Sequence, residues 1–301
     1  MGMSETRLPN YGGQALIEGV MMRGSSYVAR AMRAPDKRIV IETEPLSGIY
    51  HSKMTKIPFL RGLILLWDAL GLGMRAITIS ANLQTGEDEK LEGLPLFFTL
   101  LFAVGLAVGL FFVLPAGIGH FTEKLFGISQ WWSNVIEGVL RLIILLLYLW
   151  AIGKIPEIQR VFAYHGAEHK TINAFEAGAP LTPESVAKFP LEHTRCGTAF
   201  LLDVIVLSIL LFSMLGPLPM EWRMASRVLL IPVIAGIAYE YLRWTANHQE
   251  VALVRALTKP NLALQHLTTR EPSLDMLEVA IASFNAMRQA EQQGKEEQLV
   301  L

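Results

Sequence analysis

His165-Gly166-Ala167-Glu168-His169 sets two imidazoles four residues apart with a carboxylate beside the second. On a helix of 3.6 residues per turn, positions 165 and 169 stack on one face and Glu168 stays on the same side, three residues from the first histidine. One face then offers two nitrogen ligands and a group able to move a proton. His-x-x-Glu-His is the inverted form of the zinc-protease signature, in which the histidines bind the metal and the glutamate handles the proton. Chance alone would place such a pattern roughly 0.01 times in a chain of this composition. The alternative is a surface helix with two solvated histidines.

A catalytic zinc usually has three protein ligands and one open position, so a third donor must come from elsewhere in the chain. Glu240 is the first choice, because a carboxylate near the end of an apolar stretch is costly unless it is paired or ligating. An ion pair with Arg243 or another interfacial base is the alternative. His193 and Cys196 form a His-x-x-Cys pair and are rival ligands, with a buried packing cysteine as the alternative reading. The expected cofactor is a divalent metal, zinc first, although imidazole and carboxylate also suit iron, manganese or nickel. Glu176, seven residues past His169, returns to the motif face as a ligand, an outer acceptor or a solvated side chain. Asp203 lies inside an apolar block and needs a partner such as Arg195, a site histidine or the metal. Glu137 and Arg141, four apart, most simply pair with each other. His51, His120 and His266 lack ligand-type neighbours and read as surface or interfacial residues.

The elements that must position these groups are mostly apolar. Hydrophobic residues make up 52% of the 301, with a mean hydropathy of +0.38, and they fall in long blocks. The fold class that follows is an all-α polytopic membrane protein. Blocks 94–119, 135–155, 199–217 and 224–244 reach the roughly 20 residues that a span requires. A fifth block, 58–83, carries Arg61, Asp68 and Arg75 at intervals of seven, a polar stripe on an otherwise apolar helix. If that block does not cross, 11 Lys/Arg up to Lys90, 5 in segment 154–198 and 6 from Arg243 onward share one side, 22 of the 26 in the chain. Basic residues concentrate on the cytoplasmic side of membrane proteins. The expectation is therefore four spans with both termini cytoplasmic, preceded by an interfacial or re-entrant helix at 58–83. The alternative is a fifth span with its stripe buried in the bundle.

Around the spans the chain divides into a cytoplasmic glycine-rich and β-hairpin region at 1–57, the helix at 58–83, the transmembrane domain at 94–244 with its metal-motif segment 154–198, and a cytoplasmic C-terminal tail at 245–301. Segments 27–33 and 38–44 suit strands, joined by Ala34-Pro35-Asp36-Lys37, which has turn chemistry. The glycines of 12–24 either make turns or let backbone approach a ligand. Residues 156–177 predict a helix ended by Gly178. Thr182-Pro183 starts a shorter helix, and 274–293 forms a polar helix before a frayed end.

A net charge of -1 without a basic stripe excludes nucleic acid as a partner. The single cysteine forbids an intrachain disulfide, and region 1–57 has no apolar stretch of the kind a cleavable signal carries. The partners expected are membrane lipid and a peptide or lipid substrate, and nothing in the chain sets the oligomeric state.

Four motifs, Gly-Gly-Gln-Ala-Leu-Ile-Glu-Gly-Val-Met-Met-Arg-Gly at 12–24, Tyr-His-Gly-Ala-Glu-His-Lys at 164–170, His-Thr-Arg-Cys-Gly-Thr at 193–198 and Leu-Thr-Thr-Arg-Glu-Pro at 267–272, together resemble the YqhQ-like bacterial membrane proteins, a domain-of-unknown-function family. The resemblance runs over nearly the whole chain. It implies a bacterial membrane protein and a metal-dependent enzyme built on the same histidines, without naming a substrate. Three function classes follow: a metal-dependent hydrolase at the cytoplasmic membrane surface with Glu168 as the catalytic base, a non-catalytic membrane adaptor with a structural metal, and a transporter. Ligands gathered at one face, with few ionisable groups through the spans, argue against transport.

Overall fold

The computed structural model describes residues 11–46, 57–85, 92–215 and 218–300. The readings of His51, of residues 1–10 and 47–56, of the Asp68 side chain and of residue 217 as the end of a block lie outside the described residues.

Strands β1 (Gly12–Leu16), β2 (Gly19–Arg23), β3 (Tyr27–Arg33) and β4 (Ile39–Pro45) form one antiparallel sheet in chain order. The β3–β4 hairpin is the one its turn chemistry predicts. The glycine-rich segment is more than turns: it folds into a second hairpin, closed by Ile17 and Glu18, with Glu18 at φ 53°. The helices are α1 (Leu60–Gln84), α2 (Gly93–Val108), α3 (Leu114–Phe126), α4 (Gln130–Ile152), α5 (Pro156–Glu176), α6 (Pro183–Val186), α7 (Gly197–Met214), α8 (Met220–Leu229), α9 (Ile231–Ala246), α10 (Ala252–Thr268) and α11 (Leu274–Val300). One π-helical turn, Gly109–Val113, joins α2 to α3. As expected, Gly178 terminates α5 in the left-handed region and the Thr182 hydroxyl caps α6.

The sheet is the middle layer of three. Alternation sends Val20, Met22, Ala29 and Ala31 to one face, where they pack on Tyr164 and Ala167 of α5 and on Leu277, Phe284 and Met287 of α11. Leu16, Met21, Val28 and Met32 take the other face, against Leu72, Ala76, Ile79 and Leu83 in the second half of α1. At about 1.5–3 kcal/mol for each large side chain removed from water, these two interfaces hold the N-terminal strands to helices far away in sequence.

Among the described residues five helical stretches are long and apolar enough to cross a membrane: Leu60–Gln84, Gly93–Phe126, Gln130–Ile152, Gly197–Met214 and Glu221–Ala246. The last four cover the blocks read from the sequence. The first differs from them in what it touches, since its second half lies on the sheet. Its exposed side carries Phe59, Trp67, Leu70, Met74 and Ile77.

Residues 252–300 form α10 and α11, which pack on the rest of the described chain. Leu264 of α10 packs with Leu145, Leu149 and Ile205 of the bundle, and α11 supplies a third of the sheet domain's core. Helix α10 runs straight through Pro260. A proline forfeits one intrahelical hydrogen bond, and burial of α10 against α7 and α4 outweighs that loss. In α11 the apolar residues face both the sheet and α5, so they make no single stripe for a sequence reading to find.

At the bundle end away from the sheet, a knot of charges is buried. Glu137, 1% exposed, accepts from Arg141 at 2.9 Å and from Arg227 at 2.8 and 3.0 Å, and Arg223 lies 3.6 Å away. Arg223 also reaches Glu123 at 2.8 Å and the Ser133 hydroxyl at 2.7 Å. Arg141 donates to the Phe111 carbonyl, whose ordinary helical partner four residues on is Pro115, which has no N–H. The expected Glu137–Arg141 pair is thus present, with two further arginines added to it.

Candidate metal centre

Helix α5 brings His165, Glu168 and His169 to one face, as the spacing predicts, and the loop before α7 brings Cys196 to meet them. Nδ1 of His165 lies 2.9 Å from the Thr268 carbonyl, and Nδ1 of His169 is bonded to the Leu191 carbonyl. A carbonyl only accepts, so each Nδ1 carries the proton and each Nε2 presents a lone pair. Those two Nε2 atoms face inward toward the sulfur. One ligand atom from each of His165, His169 and Cys196 lies within 4.8 Å of the others. Cys196 Sγ is 3.3 Å from His165 Nε2 and 2.7 Å from the Thr198 hydroxyl. His169 is 1% exposed, and its Nε2 has no hydrogen-bond partner.

A buried imidazole lone pair at His169 Nε2 without a partner among the described residues, facing a second imidazole and a sulfur, suits a cation. Two imidazoles and a thiolate are a donor set for zinc, and backbone carbonyls on the far ring nitrogens are the usual way such histidines are oriented.

Glu168 Oε2 stands 3.7 Å from His169 Nε2 and 3.9 Å from His165 Nε2, beside the ligand atoms and outside their triangle. His193 is close, its ring centroid 5.6 Å from that of His169, but its Nε2 turns to Glu176 at 3.9 Å. Gln265 clamps the His193 backbone with two hydrogen bonds of 2.9 Å. Burial pushes the Glu176 carboxyl up in pKa, but its contacts with His193 and Arg195 outweigh this and hold it below the ordinary carboxylate range. Glu176 is therefore a partner for Arg195 and His193.

Glu240 is placed elsewhere. Its carboxylate is held by the Arg61 guanidinium, with Nε at 2.7 Å, and by the Phe59 backbone N–H at 3.1 Å. Phe59, at φ 66°, is the residue just before α1, so Glu240 caps that helix and docks it on α9. The first choice of third ligand thus gives way to Cys196, and an interfacial base other than Arg243 takes Glu240. Asp203 also finds a partner the sequence did not suggest, the Asn261 amide of α10 at 3.0 Å. Arg195 is already committed to Glu176. His248 bonds the Trp244 carbonyl, and His266 makes a 3.2 Å contact with Glu192.

Several contributors were not assigned from the sequence. Thr268 orients His165, and Gly166 permits that approach: a Cβ there would sit 2.2 Å from the Arg270 carbonyl oxygen. Gly13 of β1 lies against Glu168, and a Cβ there would come within 2.8 Å of the Glu168 side chain. The glycine-rich segment therefore does let backbone approach the site. The sequence signal was the motif pair 12–24 and 267–272, which carried no assigned chemistry. A cavity of about 240 Å³ opens at the cluster, lined by Gly12, Gly13 and Gln14 of β1, Ala69 and Leu72 of α1, and His165, Glu168, His193 and Cys196.

The family model described as protein of unknown function (DUF1385) matches residues 57–290. The chain is 35% identical over 308 residues to "Uncharacterized protein YqhQ" of Bacillus subtilis (strain 168), covering 96% of each. No solved structure matches.

Proposed function

The chain belongs to the DUF1385 family of proteins of unknown function, and on that premise we propose that it is a membrane-embedded, zinc-dependent hydrolase whose site opens beside the membrane surface. The observation that carries this reading is the three-ligand cluster of His165, His169 and Cys196, with Glu168 beside it and a cavity at its open side. A zinc held there would polarise a scissile carbonyl or phosphoryl oxygen and acidify water. Glu168 takes the proton as water attacks, then returns it to the leaving group. The carbonyls of Thr268 and Leu191 hold both histidines in the ligating tautomer throughout. The glycine wall at Gly13 leaves the Glu168 carboxylate little room to swing away.

Packing supports four crossings. The sheet, α5 and α11 share one core, so residues 11–46, 156–176 and 274–300 lie on one side of any membrane. An even number of crossings must separate each of these segments from the next. Between the sheet and α5 lie three apolar stretches, and α1, whose second half rests on the sheet, is the one that does not cross. With α1 lying at the interface, its exposed Trp67, Leu70 and Met74 would face lipid. Arg141, Arg223 and Arg227, three of the four basic residues outside the proposed cytoplasmic side, are buried in the knot and say nothing against this orientation.

The second reading, an adaptor with a structural metal, would be favoured by a closed set that included His193. His193 Nε2 lies 3.9 Å from Glu176 and is not one of the three clustered ligand groups, which favours the open site. The decisive comparison is Glu168→Gln against the double variant His165→Ala/His169→Ala, in metal analysis and in complementation of a deletion strain. The hydrolase reading expects Glu168→Gln to keep its zinc and fail to complement, and the double variant to lose both. Full complementation by metal-loaded Glu168→Gln would reject it. Zinc should also protect Cys196 from alkylation, and chelation should release it.

A further inference from the structure

We infer that the substrate is a polypeptide bound in extended form, which adds as a fifth strand to the free edge of β1. This rests on the hydrolase reading above and narrows it from any carbonyl or phosphoryl compound to a peptide.

The edge is open and its direction is determined. Among the described residues β1 pairs only with β2, so its other side has no strand neighbour there. Leu16 and Gly19 close a two-residue turn and must be a hydrogen-bonded pair. Hydrogen-bonded and non-bonded pairs alternate in an antiparallel ladder, so Gln14–Met21 and Gly12–Arg23 are bonded, while Gly13 and Ala15 turn their N–H and C=O groups outward. Those outward groups have no partner among the described residues. Gly13 is exposed although it stands in the wall of the cavity. An unpaired edge strand is a template for another strand, and proteins ordinarily blunt it with charge, proline or a covering element. Here the exposed residue is a glycine.

The edge also points at the chemistry. Helix α1 covers one face of the sheet and α5 the other, so Ala69 and Leu72 face His165 and Glu168 across the groove that β1 floors. Gly13 touches Glu168, whose carboxylate is within 3.9 Å of both ligand nitrogens. A strand paired to Gly13 would run about 4.8 Å outside β1 and carry its backbone past the cluster. Alternate side chains would then point to Ala69 and Leu72 on one side and to the metal side on the other. Main-chain pairing of this kind tolerates varied sequences, as strand addition does generally. In the step itself, water adds its oxygen to the peptide carbonyl carbon, the C–N bond breaks, and the proton held by Glu168 passes to the departing amine. Water is the only co-reactant.

The test measures binding without turnover. The full chain in detergent, as the zinc-loaded Glu168→Gln variant, is titrated with a fluorescein-labelled peptide of alternating valine and threonine flanked by lysines. Two competitors of the same sequence carry N-methyl groups on alternate residues, in one register or the other. The labelled peptide is expected to bind, and one methylated register to compete while the other fails. Adding Ala15→Pro removes an outward N–H, a place where an edge strand accepts proline, and should weaken binding roughly tenfold with zinc content unchanged. If the labelled peptide does not bind, or both registers compete equally, strand addition is overturned, and retained zinc leaves the hydrolase reading standing for another substrate. If wild-type protein holds no zinc yet register discrimination persists, the hydrolase reading fails and the peptide site remains. Should Ala15→Pro fail to fold, the methylated pair decides alone.

Discussion

Two buried polar clusters sit at opposite ends of the helical bundle, and they are satisfied in opposite ways. Around Glu137, donors and acceptors answer one another: three guanidinium groups converge on one carboxylate, with Ser133, Asn134, Ser208 and Glu123 taking most of the remaining bonds. Around His165 and His169 one acceptor is left over: Cys196 Sγ meets His165 Nε2 and the Thr198 hydroxyl, while His169 Nε2 has no partner among the described residues. Both Nδ1 protons are spent on carbonyls, and the two Nε2 atoms and the cysteine sulfur are left pointing at one another. The first arrangement is met almost entirely within the chain, and the second leaves a buried lone pair that a cation would satisfy. Buried charge alone therefore does not mark a functional site. The sign of what is left over does.

The sharpest way to break that contrast is to attack the knot. Glu137→Ala strands three buried arginines, and removing one partner of a buried ionic cluster costs about 3–5 kcal/mol. The expected result is a large fall in thermal midpoint in detergent with zinc content per folded chain unchanged. A midpoint equal to wild type would mean that the knot is not structural. Next in size is His165→Ala/His169→Ala, which should abolish zinc binding while leaving a midpoint close to that of chelator-treated wild type. If the double variant unfolds outright, the two clusters do not differ in kind.

A finer cut separates the two candidate third ligands. Cys196→Ser should weaken zinc by at least roughly tenfold, since oxygen replaces the softer thiolate. Glu240→Gln should leave zinc untouched and instead cost about 1–3 kcal/mol through loss of the charged hydrogen bonds that dock α1 on α9. The reverse pattern, measured by competition with a chromogenic chelator, would restore Glu240 as the ligand. An effect of similar size is expected from Gly166→Ala. A methyl 2.2 Å from the Arg270 carbonyl oxygen pushes the 268–270 segment off α5, and disturbing the carbonyl that orients His165 should cost roughly 10–100-fold in zinc affinity. Unchanged affinity would show that Thr268 does not hold the ring.

Local and periodic features were legible in the chain. Apolar blocks of spanning length, the turn at Ala34–Lys37, the Gly178 stop, the Thr182 cap and the pairing of His165 with His169 all depend on residues within a few turns of one another, where spacing alone sets the geometry. The Glu137–Arg141 pair was legible for the same reason.

What required the tertiary structure is every contact between distant segments. Glu240 and Cys196 were both chemically able to be the third ligand. Which of them lies beside His165 and His169 turned on Arg61, 179 residues before Glu240, which holds that carboxylate elsewhere. The role of Thr268 was hidden because its contribution is a backbone carbonyl, and any residue type supplies one. Helix α11 looked like a polar tail because its apolar residues divide between a sheet on one side and α5 on the other, and a helix buried on two faces shows no single stripe. The sequence determined which groups were available for chemistry, since residue type and local spacing fix donor, acceptor and helical face. Only the packing of β1, α5, the Cys196 loop and the end of α10 into one place decided which of them face each other unsatisfied, because that depends on which partners arrive first from the rest of the chain.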